Sequence, residues 1–555
     1  MNRYPSRRSP QFLRNGWSFV VIAIALLILT PILVVFSSVF TNSGAVWQHL
    51  LTTVLPDYIG STLLLMLGVG ICTVIIGVGT AWLVTLCQFP GQSWFEWGLL
   101  LPLAAPAYVL AYVYTELLEF YGPVQSALRG VFGWTAVEDY WFPAIRSMGG
   151  AIAVISLVLY PYIYLLARVA FLEQSVCTLE ASRSLGCNPW KSFTRVALPL
   201  ARPAIVAGLA LVLMETLNDF GTVQYFAVNT FSVGIYRTWF GMGQPVAAAQ
   251  LSALLLVFVL LLIGLERWSR QQTKYYQTGR YQRTTRFTLQ GWRAIAAWFC
   301  CLLPIALGFL IPAGRLLYMA MNNVSHNFSQ RFWQLSQHSL ILATITSAIA
   351  VIIALVMAYG VRLKPDWGTQ SAVRLASVGY AVPGAVIAVG VLFPLGAIDN
   401  AIDAGMRSTF GISTGLLISG TITALVFAYL VRFLAVSHNT IESSLVRIKP
   451  NLDDAARSLG SSSTKTLLRV HAPLMRSGLI TAALLVFVDV MKELPATLIV
   501  RPFNFDTLAV EVYRLASDER LTEAAAPALA IVAVGIIPVI LLSRQIARTR
   551  AEDGN

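Results

Sequence analysis

Residues 180–202 read EASRSLGCNPWKSFTRVALPLAR, and residues 454–476 read DAARSLGSSSTKTLLRVHAPLMR. At this offset of 274, 11 of the 23 aligned positions are identical, whereas composition alone gives about one or two. Further upstream, Pro106 in LAAPAYVLA matches Pro383 in YAVPGAVIA at an offset of 277. The sequence therefore predicts an internal duplication, with a three-residue length change between the two matched blocks.

The composition around these blocks excludes a water-soluble fold. Of the 555 residues, 57% are hydrophobic and only 12% are charged, against about 25% charged residues in a soluble domain. About 20 mostly apolar residues are needed to cross the hydrocarbon layer, and twelve stretches qualify. They lie at residues 17–40, 62–86, 97–118, 149–172, 199–220 and 245–266, then at 291–320, 338–361, 372–396, 413–437, 473–492 and 522–543. The first is too long for the apolar segment of a signal peptide, so we expect it to be retained.

These spans predict an all-α polytopic membrane protein with twelve transmembrane helices in two parallel six-helix repeats. An even span count gives both repeats the same orientation, so an axis along the membrane normal relates them. Transport through the seam between the repeats is the function that this duplication favours. The predicted segments are a basic N-terminus (1–15), a first six-helix unit (16–267), a basic linker (268–290), a second six-helix unit (291–545) and a C-terminus (546–555).

The positive charge of the chain reports its topology. The net charge is +13 from 39 basic and 26 acidic residues, and with the N-terminus inside, 29 Lys and Arg residues fall on the cytoplasmic side and 10 outside. This is the distribution that the positive-inside rule demands, with both termini cytoplasmic. The linker alternates basic residues with Tyr275, Tyr276 and Tyr281, a pattern that can bind RNA. A linker against anionic lipid is favoured, so no nucleic-acid partner is expected.

No cofactor site is predicted in this chain. The six cysteines and five histidines are scattered without metal-ligand spacing, so neither a disulfide framework nor a structural metal is expected. The segment GSSSTKT (460–466) is similar to a phosphate-binding P-loop, but it is one residue short and Thr464 replaces the second glycine. ATP and Mg²⁺, if they supply the energy, are therefore expected on a separate subunit.

The duplicated segment predicts a short cytoplasmic helix, a glycine turn and a second basic helix, which we call a knob. An acid lies near the helix start, where it suits the helix dipole, two apolar residues four apart share one face, and a glycine permits the left-handed turn that ends the helix. Two matching knobs favour docking of a partner over a mere cap on the helix bundle. The residues concerned are Glu180, Ala181, Leu185 and Gly186 in the first copy, and Asp454, Ala455, Leu459 and Gly460 in the second.

The knobs resemble the cytoplasmic coupling signature of ABC importer permeases, E-A-A, three residues, G, nine residues, I-x-L-P. The first copy matches it with Glu180, Ala181, Ser182, Gly186, Val196, Leu198 and Pro199. The second copy departs from it, with Asp454 in place of Glu and Ala472 in place of Leu. The resemblance implies a type I importer permease that catalyses no covalent chemistry. It also implies that each knob binds one of two copies of a cytoplasmic ABC ATPase, and that a periplasmic or lipid-anchored binding protein delivers the substrate.

Acidic residues interrupt the fifth span of each half. The charge-free runs 203–214 and 477–488 are too short to cross the hydrocarbon without including an acid. We expect two pairs of acids, four residues apart on one helix face: Glu215 with Asp219, and Asp489 with Glu493. Acids at membrane depth normally face a cavity or a partner, so these four are candidates for a cation pathway. The alternatives are pairing with Lys492 or docking of an external protein. Tyr225 and Tyr513 can add oxygen ligands, although interfacial anchoring is the commoner role of tyrosine.

Residues 218–251 and 492–529 resemble the corresponding stretches of fused two-unit permeases of ferric-iron importers. This resemblance implies ferric iron, a hard cation that oxygen ligands suit, as the transported substrate. Related fused permeases for thiamine and for phosphonates share the architecture and stay as alternatives. An ion-coupled secondary transporter is the rival class, and a membrane scaffold is a third.

Overall fold

The computed structural model describes residues 11–41, 44–173, 184, 188–271, 287–324 and 328–552, and this part of the chain is almost wholly helical. A parallel pair of two-residue strands, β1 (Cys87–Gln88) and β2 (Phe287–Thr288), joins the end of the second span to the end of the linker. The α-helices are α1 Gln11–Ser37, α2 Gly44–His49, α3 Leu55–Leu86, α4 Gln92–Gly98, α5 Ala107–Leu118, α6 Pro123–Phe132, α7 Met148–Glu173, α8 Pro189–Ser192, α9 Leu198–Asn218, α10 Gly221–Tyr225, α11 Phe231–Tyr236, α12 Pro245–Gln271, α13 Trp292–Ile305, α14 Ile311–Asn322, α15 Gln330–Leu363, α16 Trp367–Ala376, α17 Gly384–Phe410, α18 Ile422–Val446, α19 Asn451–Ser458, α20 Ser463–Thr466, α21 Ala472–Leu474, α22 Arg476–Met491, α23 Pro495–Val500, α24 Leu508–Ser517 and α25 Leu521–Glu552.

The described helices provide the predicted membrane spans. Ten of them are long and apolar enough to cross a membrane, and the number rises to 12 if each of two bent helix pairs counts as one span. The bent pairs are Gln92–Ala104 with Ala107–Phe132, at 90°, and Ser463–Leu474 with Arg476–Met491, at 81°. The all-α polytopic fold is therefore confirmed.

The matched prolines mark the same break in both halves. Pro106 (φ −62°, ψ 145°) precedes α5, and Pro383 (φ −57°, ψ 141°) precedes α17. Each follows a 3₁₀ turn, Leu101–Ala104 or Ser377–Ala381. Because proline lacks an N–H and disfavours helical geometry in the residue before it, the helix stops and restarts here. The predicted ninth span, 372–396, is wrong in its bounds for this reason: the spanning helix is Gly384–Phe410.

The described chain divides into two compact units. Unit 1 comprises Met1–Asn42 with Gln337–Thr507, and unit 2 comprises Ser43–Ser336 with Leu508–Asn555. These bounds differ from the sequence segments 16–267 and 291–545 in two ways. Helix α1 is in the unit built mainly from the second half, and α13, α14, α24 and α25 of the second half are in the unit built mainly from the first half. The repeat boundaries themselves stay a prediction.

Small residues permit this exchange of helices. In unit 1, α1 packs along α16 and α17, and a Cβ added to Gly390 would overlap the backbone carbonyl of Pro31. Trp17 of α1 meets Tyr359 edge to face, with ring centroids 5.4 Å apart. In unit 2, the hydroxyl of Tyr114 donates to the carbonyl of Leu307, which lies between α13 and α14, at 2.5 Å. The apolar faces of α1 and α13 are thus buried against helices distant in sequence.

Candidate functional site

The second knob has the predicted helix, turn and second helix. Its first helix, α19, ends at Ser458, Leu459 is the C-cap residue, and Gly460 has φ +76°. The N–H of Gly460 donates to the carbonyl of Arg457 at 2.9 Å, and the N–H of Ser461 donates to that of Ala456 at 3.0 Å. These two bonds form a Schellman motif, which requires a left-handed residue. The predicted conformation of Gly460 is confirmed.

One face of α19 is apolar and exposed. Leu452, Ala455 and Leu459, spaced three and four residues apart, share this face, and Leu459 is 88% exposed. Next to this face, about a quarter turn round the helix, lie Ala456, which is buried, and Asp453, which is half-buried. An exposed apolar stripe on a short helix suits insertion into a groove of another protein. We call Leu452, Ala455 and Leu459 the docking face.

The acids at the start of α19 have different surroundings. Asp454 forms an exposed ion pair with Arg457. Asp453 is bound by Arg362 and His471. Burial alone raises the pKa of Asp453, but the hydrogen bonds from Arg362 and His471 outweigh it and hold the pKa below its usual value. Asp453 therefore stays ionised at any physiological pH.

The first knob's candidate residues, Glu180, Ala181, Leu185 and Gly186, lie outside the described residues. The segment that follows is described, and it repeats the second half at the offset of 274. A π-helical turn spans Phe193–Ala197 in the first half and Leu467–His471 in the second. Each turn leads into the helix that begins the fifth span. The duplication seen in the sequence is therefore also a duplication of local structure.

The first pair of pathway candidates lies at the end of α9 in unit 2. Glu215 is in the last turn and is half-buried. Asp219 follows the helix with extended backbone (φ −64°, ψ 129°). Its carboxylate accepts the N–H groups of Thr222 and Val223, both at 3.1 Å, and the hydroxyl of Thr222 at 2.9 Å. Asp219 thus holds the first turn of α10.

The second pair lies at the end of α22 in unit 1. Asp489 pairs with Lys492 at 2.9 Å, as the interfacial alternative anticipates. Glu493 accepts the N–H groups of Ala496 and Thr497, both at 3.0 Å, and the hydroxyl of Thr497 at 2.7 Å. It is also bound by Arg432. Glu493 thus does for α23 what its repeat partner Asp219 does for α10.

The prediction that each pair of acids shares one helix face is wrong. The helices end at Asn218 and Met491, so Asp219 and Glu493 lie beyond them. Each carboxylate turns onward along the chain to bind the N–H groups that the next short helix leaves unpaired at its start. Among the four candidates, Glu215 and Asp489 are the two on the spanning helices themselves.

Two buried ion pairs escaped the sequence analysis. In unit 1, Arg432 Nη1 lies 3.1 Å from Glu493 Oε1, and in unit 2, Arg168 Nη2 lies 3.2 Å from Glu96 Oε2. All four side chains are less than 10% exposed. The available signal was a lone arginine within an apolar span, which normally requires a partner. Sequence alone does not say which acid that partner is.

The tyrosines named in the sequence analysis pack among other side chains of unit 2. The ring of Tyr225 meets that of Tyr112 at 4.5 Å between centroids, and the guanidinium of Arg146 lies 4.8 Å from the Tyr225 centroid. Arg146 also pairs with Glu119 at 2.6 Å. The Tyr513 ring contacts Phe220 at 5.8 Å. Their role as oxygen ligands stays a prediction.

Comparison with known proteins gives concordant matches. Residues 350–551 match the family described as "Binding-protein-dependent transport system inner membrane component". The Fe(3+)-transport system permease protein FbpB 2 of Haemophilus influenzae is 25% identical over 500 residues, which cover 88% of this chain and 90% of that protein. The ferric transport system permease protein FbpB of Actinobacillus pleuropneumoniae is 24% identical over 529 residues, covering 91% and 74%. The molybdenum transport system permease protein ModB of Escherichia coli is 27% identical over 198 residues, covering 35% and 83%.

The extents of these matches agree with the duplicated fold. The permease named for molybdenum matches over most of its own length but only about a third of this chain, as expected when this chain holds two units of that size. The segment matched by the family contains the second knob and its docking face. The chain is a multi-pass membrane protein, and about nine-tenths of its length is similar to permease components of binding-protein-dependent transport systems.

Proposed function

We propose that this permease imports ferric iron. The observation that carries the proposal is the extent of similarity: relatives named for ferric transport match about nine-tenths of the chain, whereas the relative named for molybdenum matches 35% of it. The carboxylates of Glu215 and Asp489, near the ends of the fifth spans, are oxygen ligands of the kind that a hard trivalent cation prefers.

The proposed partners are two copies of a cytoplasmic ATPase and an external binding protein. We propose that the chain spans a bacterial inner membrane with both termini in the cytoplasm. The ATPase is proposed to bind ATP and Mg²⁺. The docking face of α19 supports this arrangement, because three apolar residues at the tip of a polar knob favour a protein groove over water. Closure of the ATPase dimer would pull on both knobs and switch the permease between inward-open and outward-open states.

Within the proposed pathway we give the four acids two roles. Glu215 and Asp489, on the spanning helices, are proposed to attract the cation. Asp219 and Glu493 are proposed to fix the turns that carry the chain away from those helices. This division is supported by the hydrogen bonds that the latter two accept from the helix starts beyond them.

Uptake by reconstituted vesicles tests the substrate. Proteoliposomes with the permease, its co-purified ATPase and the loaded binding protein are offered ferric iron, molybdate, sulfate, thiamine or a phosphonate. We expect accumulation of iron only when ATP is enclosed with the ATPase. Iron uptake without ATP would indicate an ion-coupled transporter. Preferential uptake of another compound would identify that compound, and not iron, as the substrate.

The acids are tested in the same vesicles. Glu215→Gln and Asp489→Asn should lower iron uptake while ATPase co-purification is unchanged. Asp366→Asn is the matched control, because Asp366 caps α16 at a distance from the fifth span and asparagine caps equally well. Normal uptake by the Glu215→Gln, Asp489→Asn double variant would remove both acids from the pathway.

A further inference from the structure

A polar cluster adjoins the docking face of the second knob, on the more buried side of α19. Asp453 Oδ2 accepts from Arg362 Nε at 3.0 Å and from Arg362 Nη2 at 2.6 Å. Asp453 Oδ1 lies 2.7 Å from His471 Nε2. Arg362 and Asp453 are less than 20% exposed and His471 is fully buried. We call these three residues the polar bridge.

Arg362 extends the polar bridge to a third segment. Its Nη1 donates to the carbonyl of Leu445 at 2.7 Å, and its Nη2 donates to that of Ile448 at 2.9 Å. Leu445 is in the last turn of α18, where carbonyls have no helical partner and a cation suits the dipole. One guanidinium at the end of α15 therefore holds both the end of α18 and the start of α19.

His471 links the same cluster to the fifth span of its half. It ends the π-helical turn Leu467–His471, which leads through α21 into α22. Its ring packs on Tyr359 of α15, with centroids 5.4 Å apart. A displacement of α19 must therefore move α15 and the start of the fifth span with it. Otherwise it would break the partly buried hydrogen bonds of Asp453 with Arg362 and His471. Breaking such bonds is costly, because a charge is left without its partner.

The sequence of the first half does not repeat the residues of this cluster. The repeat places Ala197 at the position of His471, and Thr85 or Gln88 at that of Arg362, depending on which of the two offsets is used. Aromatic side chains pack there instead: the ring of Trp82 meets those of Phe171, Phe193 and Phe287 at 5.8, 4.7 and 6.2 Å. The described part of the first half is therefore built on an apolar base here, so the fold of a half does not require the polar bridge.

We propose that Arg362, Asp453 and His471 are positioning residues that transmit movement of the second knob to the membrane helices α15 and α22. The inference rests on the proposed coupling of the knobs to an ATPase. Charged hydrogen bonds have strict geometry, so the polar bridge moves as one rigid piece.

The test separates docking from transmission. Permease variants Arg362→Gln, Asp453→Asn and His471→Ala are reconstituted with the ATPase and the loaded binding protein. For each, we measure ATPase co-purification and the number of substrate ions transported per ATP hydrolysed. We expect normal co-purification and a transport ratio lowered between about two- and thirtyfold. Asp366→Asn, which changes a partly exposed acid near the same end of α15, is the control and should keep the wild-type ratio.

Further variants test whether the residues of the polar bridge act as one unit and whether the geometry of Arg362 matters as well as its charge. The Arg362→Gln, Asp453→Asn double variant should be no worse than the poorer single variant, since both remove one unit. Arg362→Lys keeps the charge but loses the fork of donors, so its ratio should be intermediate. A wild-type ratio in Arg362→Lys and Asp453→Asn, or an equal loss of ATPase binding, would overturn the proposal. If wild-type vesicles show no ATP-driven uptake of any substrate, the proposed function itself fails.

Discussion

Arg432 and Glu493 form an ion pair at 3.1 Å that is almost fully buried in unit 1. The same carboxylate accepts two backbone N–H groups at the start of α23, at Ala496 and Thr497. One acid thus joins the middle of α18 to the turn that follows the fifth span. Its oxygens are fully used by protein donors, which is why Glu493 is better explained as a support than as a cation ligand.

Removing one member of this pair should destabilise the protein strongly. Glu493→Gln leaves Arg432 buried without its counter-charge, at an expected cost of about 3–5 kcal/mol. The Arg432→Met, Glu493→Gln double variant should regain much of that loss, because no unpaired charge remains. Thermal unfolding in detergent measures both. As control, Glu523→Gln breaks an exposed pair with Arg520 and should cost less than about 1 kcal/mol; equal losses in both single variants would contradict the argument.

Gly384 should tolerate no larger side chain. A Cβ at this position would overlap Arg432 Nη1 and lie 2.7 Å from Glu493 Oε1. Gly384→Ala should therefore cost about 1–3 kcal/mol of stability. Gly396→Ala, on the same helix α17, is the matched control, because a Cβ at Gly396 has no neighbour within 4 Å. If both variants melt at the same temperature, the crowding at Gly384 is refuted.

Gly460 should matter because the backbone there is left-handed, and not because a larger side chain would clash with its neighbours. A Cβ there meets nothing within 4 Å, but its φ is +76°. Gly460→Asn should be nearly harmless and Gly460→Val should weaken ATPase binding, since asparagine adopts left-handed geometry far more readily than a β-branched residue. The dissociation constant of the permease–ATPase complex measures this. Equal affinities for the two variants would show that the turn can be made in another way.

Leu459 should contribute to partner binding and not to folding. Its side chain is 88% exposed, so Leu459→Asp should leave the melting temperature of the permease unchanged. The same variant should weaken ATPase binding, because it places a charge in an apolar groove. Leu417→Asp, at another exposed leucine in the loop before α18, is the control and should bind the ATPase normally. Wild-type affinity of Leu459→Asp would remove this residue from the docking face.

The contribution of Asp453 to stability should depend on pH. Hydrogen bonds from Arg362 and His471 hold its pKa in the folded protein below the ordinary value of 3.8. The ionised carboxylate therefore stabilises the fold fully above the unfolded pKa, and the stabilisation is lost as pH falls through the lower folded pKa. The melting temperatures of wild type and Asp453→Asn should differ at neutral pH and converge below pH 3.8. A difference that is constant with pH would contradict an ionised Asp453.

The sequence predicts the local features of this protein well. The spans follow from runs of about 20 apolar residues, and the turn at Gly460 follows from its place after a helical pattern. Each of these depends on residues close together in the chain, where spacing alone carries the information.

The features that escaped prediction depend on residues far apart in the chain. Nothing in the sequence pairs Arg432 with Glu493 or Arg362 with Asp453, because 61 and 91 residues separate the partners. The acid pairs were misplaced because the sequence does not fix the last residue of α9 or α22. The exchange of α1 and α13 between the halves likewise depends on packing between distant helices, which periodicity does not encode.

The exchange of first helices has a consequence for biosynthesis. The ribosome makes α1 hundreds of residues before α16 and α17, on which it packs, so unit 1 cannot close until the chain has passed residue 507. Until then α1 lies in the lipid without its packing partners, where it is accessible to quality-control proteases and to non-native helix contacts. A gene cut in the linker would consequently yield two fragments, each lacking helices that the other carries, and neither fragment would mature unless both were translated together.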